Sequence, residues 1–553
     1  MAVVTFSLKD FAANGISKDS LVDAIPRIGM EVEALSGEEI AIDITPNRPD
    51  LLDFTGLVRA LKLFSGKTAP KDKEYVLQHE PEIEITVTKN VAKIRPYIAG
   101  LAAKGIDLSG ERLKYLINFT EKLGDTYGRR RAKFSMGVYD LDSIKGRLTY
   151  DASADGRFVP LGLSGEMSFS EIVERHPKGV AYGGAISRDR VRRAMMPFLS
   201  DGEKILALIP ITNSESTKAT TETRNIFIDI TGTSRNTVMQ VANLIACSMV
   251  DSGADVYPCR IKYRDAEVVS PELAPREIKI RGIRISKTLG VSIDGNQAIS
   301  LANRAGYFSA KYGDSILVYV PPYRLDVLND QDVIEDLAIS YGYENISPVP
   351  VVGFSDGLAE DLREFTDSAA LHMLGIGFSE ALNTYLTNER VNFDNMLRPY
   401  RKEDVVGIAY SKTENITMLR TSILPGLLKS LGYSAHERMP QRLFESGSVF
   451  RMDKSRLIES SHLAFVSEHS KAYFSEAKGA VISMLGHLGI ENYEIKAFSD
   501  PAFIEGRCAQ VIAQGKQVAV FGELHPAVLS NFGLEEPVIS AEITLIDKIE
   551  YNI

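Results

Sequence analysis

An α+β protein of several domains is the fold class this sequence predicts, on three observations. The chain runs to 553 residues, more than one hydrophobic core organises, so three or four domains are expected. Segments with a two-residue apolar period and segments with a helical period are mixed along it. Hydrophobic residues make up 44% and charged residues 25%, the balance of a globular chain with real cores and no extended disorder.

The first domain, 1–75, ends in ITPNRPDLLDFTGLVRALKLFSG, where Pro46 and Pro49 force a turn and Asp50 is placed to cap a helix from Leu51 to Phe64. A polar, charged stretch, 71–82, reads as a linker. In the second domain, 83–262, Ile226, Ile228 and Ile230 alternate with Phe227, Asp229 and Thr231, so Asp229 and Thr231 share one face of a strand. Gly232 and Thr233 follow, then a helical pattern of Val238, Val241, Ala242, Ile245 and Met249 that stops near Gly253. A strand running through a glycine turn into a helix start exposes amides and hydroxyls and makes a candidate polar pocket. The plain alternative, a helix cap with an aspartate pointing to water, is the commoner outcome of such a pattern.

The third domain, 271–347, is read as a strand at Ile278 to Ile285, a helix near Asn296 to Ala305, a strand at Ile316 to Val320 and an acidic helix from Asn329. In that helix Val333, Ile334, Leu337, Ala338 and Tyr341 fall together toward a core, which places Asp332, Glu335 and Asp336 on the opposite side. Asp326 lies in the loop before it, after Pro321 and Pro322. Hard oxygen donors in this number suit magnesium, which keeps several waters and takes few protein carboxylates plus oxygens from elsewhere. The plain alternative is that acids in a first turn only satisfy exposed amides and the macrodipole. The last domain, 358–553, opens on a helix through Met373, broken at Gly375 and Gly377, and continues in strands.

A formal net charge of −10 excludes the field of a dedicated nucleic-acid binder, so any RNA contact is local. The best local basic cluster is Arg129, Arg130, Arg131 and Lys133, with Arg188, Arg190, Arg192 and Arg193 second; such clusters are usually solvated surface. The opening MAVVTFSLKDFAANG lacks the basic start and apolar stretch of a signal peptide. Cys247, Cys259 and Cys508 are unpatterned packing residues, and a reducing cytoplasm is expected. HExxH spacing, CxxC pairs, a Walker loop, a GxSxG elbow and a GxGxxG fingerprint are all missing, which removes the common hydrolases and kinases.

Five segments together resemble the β subunit of archaeal and eukaryotic-type phenylalanyl-tRNA synthetase: Ile44 to Leu61, Gly128 to Asp142, Asn213 to Thr233, Pro321 to Tyr343 and Leu419 to Leu428. They occur in the family's order and cover nearly the whole chain. The resemblance implies a partner α subunit in an (αβ)₂ heterotetramer that attaches phenylalanine to tRNA(Phe), with ATP and phenylalanine bound mainly by α. It implies Mg²⁺ held by Asp326, Asp332, Glu335 and Asp336 against the α subunit. It also implies that the C-terminal domain is a degenerate class II synthetase antiparallel-sheet module: Phe450, Arg451 and Asp453 are similar to an arginine-bearing second motif, and the glycine-rich third motif is missing. The second domain resembles an editing domain that hydrolyses mischarged tyrosyl-tRNA(Phe). Asn213 and Glu222 are expected near its mouth, and Asp229, Thr231 and Thr233 inside. No histidine lies close by in sequence, so a histidine base is not indicated. A non-editing scaffold that positions tRNA, and a free-standing deacylase, are the alternatives.

Overall fold

The computed structural model describes residues 2–71, 75–77, 79–185, 195–353, 355–358, 360–411, 413–454 and 456–552. The second arginine cluster, Arg188 to Arg193, lies outside the described residues. The chain divides into two compact units, Met1–Pro350 and Val351–Ile553. Among the described residues no helix is long and apolar enough to cross a membrane.

The first unit begins with a three-stranded sheet in the order Ala2–Ser7, Glu39–Ile44, Glu31–Leu35. Helix Phe54–Phe64 covers it, starting three residues later than the sequence predicts because Asp53, not Asp50, is its cap: the Asp53 carboxylate accepts the Gly56 amide at 3.1 Å. Asp50 is buried instead in a short 3-10 turn, gripped at both oxygens by the Arg48 fork at 2.9 and 2.8 Å. The stretch read as a linker contributes to the core. Tyr75 is buried and donates to Asp251 at 2.9 Å.

The core of this first sheet runs on into a ten-stranded sheet. Its path starts at Thr212–Asn213 and Ile205–Leu208 and ends at Tyr97–Lys104, Asn225–Gly232 and Phe134–Asp140. The sheet curls until its first and last strands meet, where Asn213 Nδ2 donates to the Val138 carbonyl at 3.0 Å. This seam between sheet ends is where the candidate pocket lies. Helix Arg235–Asp251 follows the strand bearing Asp229, capped by Ser234, and packs Val238, Val241, Ile245 and Met249 into the core as its periodicity predicts. Cys247, Cys259 and Cys508 are all buried and none is in a disulfide among the described residues, in keeping with packing roles.

Within the first unit, a small α+β module follows, with a sheet in the order Arg276–Arg281, Ser315–Val320, Phe308–Tyr312 and its own core. The strand predicted at Ile278 to Ile285 stops at Arg281 and continues as helix Gly282–Leu289. Isoleucines at 278, 280, 283 and 285 keep a two-residue period within each pair, and the three-residue step from 280 to 283 breaks it where the strand ends.

In the second unit a seven-stranded sheet, antiparallel except at one edge, is built around the long strands Gln441–Asp453, Arg456–Glu468 and Val538–Asn552. Alternate residues face opposite layers. Leu463 and Phe465 join the core that includes Val481 and Met484 of helix Phe474–His487, and Ala464 and Val466 join the one that includes Leu427 and Leu431 of helix Leu424–Tyr433.

Candidate functional site

Asp229 sits mid-strand, opposite Gly100 on one neighbour and Gly137 on the other. A methyl group at Gly137 would lie 2.6 Å from Asp229 Oδ1 and 2.4 Å from the Tyr139 hydroxyl, so only glycine leaves room for the carboxyl. That carboxyl is 1% exposed and accepts the Tyr139 phenol at 2.6 Å; Tyr139 is itself buried and stacked on Phe227. Burial pushes the Asp229 ionisation up to about 7, against the opposing pull of the Tyr139 hydrogen bond, the Arg95 charge and the Gly137 amide. Burial and the neighbouring Asp229 charge both raise Tyr139, which stays a donor.

Two residues along the same face, Thr231 accepts from Arg95 twice, at its hydroxyl (3.1 Å) and its carbonyl (2.9 Å). Arg95 is buried, and it also donates to Ser135 Oγ at 3.2 Å and to the Arg131 carbonyl at 3.1 Å. Burial lowers its pKa to about 10, with Tyr150 and Asp229 opposing. The guanidinium thus fixes both the floor of the pocket and the basic turn beside it. In that turn Arg129, Arg130 and Arg131 all have left-handed backbone, φ 51°, 52° and 61°. Such a conformation costs a non-glycine residue about 1–2 kcal/mol.

Arg131, Ser135, Gly137, Tyr139, Asn213 and Asp229 line one cavity at the seam. Its volume of about 20 Å³ holds about one water, so an aromatic side chain enters only if the seam parts. The ties to be broken are the Asn213 contact with Val138 and the Arg131 guanidinium contacts with the Pro210 and Ile211 carbonyls at 3.1 and 3.2 Å. Of the sequence-predicted residues, Asp229 and Asn213 line the cavity and Thr231 lies directly behind it. Glu222 and Thr233 are not brought in. Glu222 is exposed on the turn before the strand, its amide bonded to Thr220, and Thr233 is exposed beyond the strand end, its hydroxyl on the Lys133 carbonyl at 3.4 Å. Arg95, Ser135 and Tyr139 were not expected. Only the alternation of Ser135, Gly137 and Tyr139 in SMGVYD signals a shared strand face; nothing near Arg95 marks it.

A larger cavity, about 430 Å³, opens between helix Phe54–Phe64 and helix Arg112–Asp125. Its buried carboxylates are already satisfied: Asp53 by Thr55, Gly56 and Ser248, Asp251 by Tyr75 and Arg59. Burial raises Asp53 and pushes Asp251 up to about 6, yet both are tied into these structural contacts, and the largest upward push falls on Asp229 in the seam pocket.

At the acidic edge, Asn329 and Asp332 form a reciprocal cap on helix Asp330–Tyr341, with Asp332 accepting the Leu328 and Asn329 amides at 2.6 and 2.8 Å. Asp326 is held at both oxygens by Arg324, at 2.9 and 2.7 Å. Asp336 accepts from the same guanidinium at 2.6 Å and from Tyr307. Contrary to the sequence reading, Asp336 is therefore on the buried side, at the margin of the apolar stripe, where Arg324 and Tyr307 supply its partners. Glu335 is exposed. The donors are of the right hardness for magnesium, but they do not form a cage in this chain. Among the described residues no group of three or more His, Cys, Asp or Glu is placed to hold a metal ion.

Comparison with known proteins agrees with this architecture. A family model described as the phenylalanyl tRNA synthetase beta chain CLM domain matches residues 347–545, and one described as the tRNA synthetase B5 domain matches 278–343, which spans the acidic helix. The phenylalanine-tRNA ligase beta subunit of Archaeoglobus fulgidus is 35% identical over 536 residues, 96% of this chain and 95% of that one. Its counterpart in Pyrococcus furiosus is 35% identical over 506 residues, 90% of this chain and 89% of that one. Among solved structures, an N-terminal fragment of the phenylalanyl-tRNA synthetase beta subunit from Pyrococcus horikoshii matches with a TM-score of 0.58 at 29% identity, covering 62% of this chain and all of the fragment.

Proposed function

Because the chain belongs to the phenylalanine-tRNA ligase beta-subunit family, we propose that it works with an α subunit in ATP-dependent attachment of phenylalanine to tRNA(Phe), and that its own chemistry is hydrolysis of mischarged tyrosyl-tRNA(Phe) at the seam pocket. The observation that carries the hydrolytic reading is Asp229, a buried carboxyl that already takes a phenolic hydroxyl, that of Tyr139, at 2.6 Å.

The need for such a site follows from physical chemistry. Tyrosine differs from phenylalanine by one hydroxyl, and an apolar synthetic pocket rejects an added hydroxyl by only about a hundredfold. A second pocket whose buried polar groups require a phenol works in the opposite sense. Tyrosine pairs with Asp229, whereas phenylalanine leaves the carboxyl without a partner on that side and loses the binding energy. Arg95 fixes Thr231 and Ser135 behind Asp229, so the floor is rigid, and among the described residues no histidine lines the cavity to act as base. Water oriented by Asp229 or by the substrate itself would then attack the ester.

The C-terminal unit is proposed as a degenerate class II module serving as scaffold, with adenylate synthesis in α. Its central antiparallel sheet and the exposed position of Arg451 support this reading, since an ATP-gripping arginine belongs in a cleft. At the acidic edge, Asp332 and Glu335 would meet the partner, and magnesium would be held there only when the partner adds oxygens. Incubation of the purified chain with tyrosyl-tRNA(Phe), with and without α, tests the proposal. Deacylation is expected, and its absence in both would leave the scaffold alternative standing.

A further inference from the structure

Arg129 and Arg130 of the basic turn GRRRAK take no part in the pocket chemistry above, and the construction of that turn asks for a purpose. It joins helix Arg112–Asp125 to strand Phe134–Asp140 and is closed by backbone bonds, Arg130 to the Asp125 carbonyl, Arg131 to that of Gly124 and Lys133 to that of Gly128, each 2.9 Å. Its left-handed residues are arginines, although glycine would adopt that backbone without strain. Arg131 is spent on the seam: its guanidinium reaches two carbonyls and lies 4.0 Å over the Tyr182 ring. Arg129 and Arg130 are exposed, and among the described residues neither side chain has a hydrogen-bond or ion-pair partner. Two unpaired guanidinium groups therefore stand next in the chain to a residue that lines the Asp229 cavity, on a chain whose net charge of −10 otherwise repels polyanions.

Building on the hydrolytic reading, we propose that Arg129 and Arg130 grip phosphates of the single-stranded acceptor end of tRNA as its aminoacyl terminus enters the seam pocket. Phosphate suits the guanidinium fork, and a left-handed turn projects adjacent side chains without needing a helix or strand to carry them.

The test is the double variant Arg129→Gly with Arg130→Gly in the full chain with its α partner. Glycine relieves the backbone strain, so the thermal midpoint should not fall. The KM for tyrosyl-tRNA(Phe) hydrolysis should rise about tenfold, two exposed charge contacts' worth, with kcat within about twofold. Binding of uncharged tRNA, followed by filter retention across salt, should lose about 1.4 from the slope of log K against log salt, at about 0.7 per single-strand phosphate. Arg129→Lys with Arg130→Lys keeps the charge and should recover most of the affinity. An unchanged salt slope in the glycine variant, or a lysine variant as weak as the glycine one, overturns the proposal. Absence of hydrolysis by the parent protein fails the hydrolytic reading instead, and the binding slope still decides this one.

Discussion

Replacing Asp229 by asparagine should make the protein more stable at alkaline pH, although it removes a buried charge's hydrogen-bonded carboxylate. In the unfolded chain this carboxyl ionises near 3.8, and in the fold near 7, because burial penalises the anion more than Tyr139 and Arg95 compensate. A raised acid means that the fold prefers the protonated form. The cost is nil below about pH 4, grows between pH 4 and 7 as the unfolded chain releases its proton and the folded one retains it, and is complete above pH 7. At 1.36 kcal/mol per pH unit the full cost is about 4 kcal/mol. Asparagine has nearly the same shape, stays neutral and still offers an oxygen to Tyr139. Thermal scans of parent and variant should differ by about 5–10 °C at pH 8, with the variant higher, and by less than half of that at pH 5. An asparagine variant no more stable than the parent at pH 8, or one whose advantage does not change with pH, would refute the assignment of a buried, neutral-prone carboxyl.

Gly137→Ala drives a methyl into Asp229 Oδ1 and the Tyr139 hydroxyl, both buried, and should cost about 1–3 kcal/mol while lowering tyrosyl-tRNA hydrolysis, read by urea denaturation and a deacylation assay. Arg324→Met strands Asp326 and Asp336 without their shared cation and should cost about 3–5 kcal/mol; a thermal midpoint equal to the parent's would show that the pair is not buried in solution. Glu335→Ala, at an exposed position, should leave stability within about 0.5 kcal/mol yet weaken magnesium-dependent association with α, measured by analytical ultracentrifugation with and without chelator; association untouched by either would remove the metal from that edge.

Elements with a strong period were legible from sequence. Strand Asn225–Gly232 and helix Arg235–Asp251 stand where their patterns put them, and the shared face of Asp229 and Thr231 follows from a period of two. What escaped was decided by contacts far apart in the chain. Arg95 meets Thr231 across 136 positions, and Asn213 meets Val138 because a sheet curls. No local pattern encodes either. Asp50 and Asp53 show how near the two cases lie. Both are acids before one helix, yet Arg48 two residues upstream claims the first and leaves capping to the second. The acidic helix teaches the same lesson at its margin, since the helical wheel places Asp336 outside and Arg324 draws it in.

In the proposed reaction a carboxyl at the seam, Asp229, selects the phenol. The most direct test of that selection is to give the purified chain, with its α partner, tyrosyl-tRNA(Phe) and phenylalanyl-tRNA(Phe) side by side, as parent and as Asp229→Ala. The parent should release tyrosine at least about a hundredfold faster than phenylalanine, and the variant should lose that release while still supporting phenylalanine attachment. Equal hydrolysis of both esters by the parent, or undiminished tyrosine release by the variant, would contradict it.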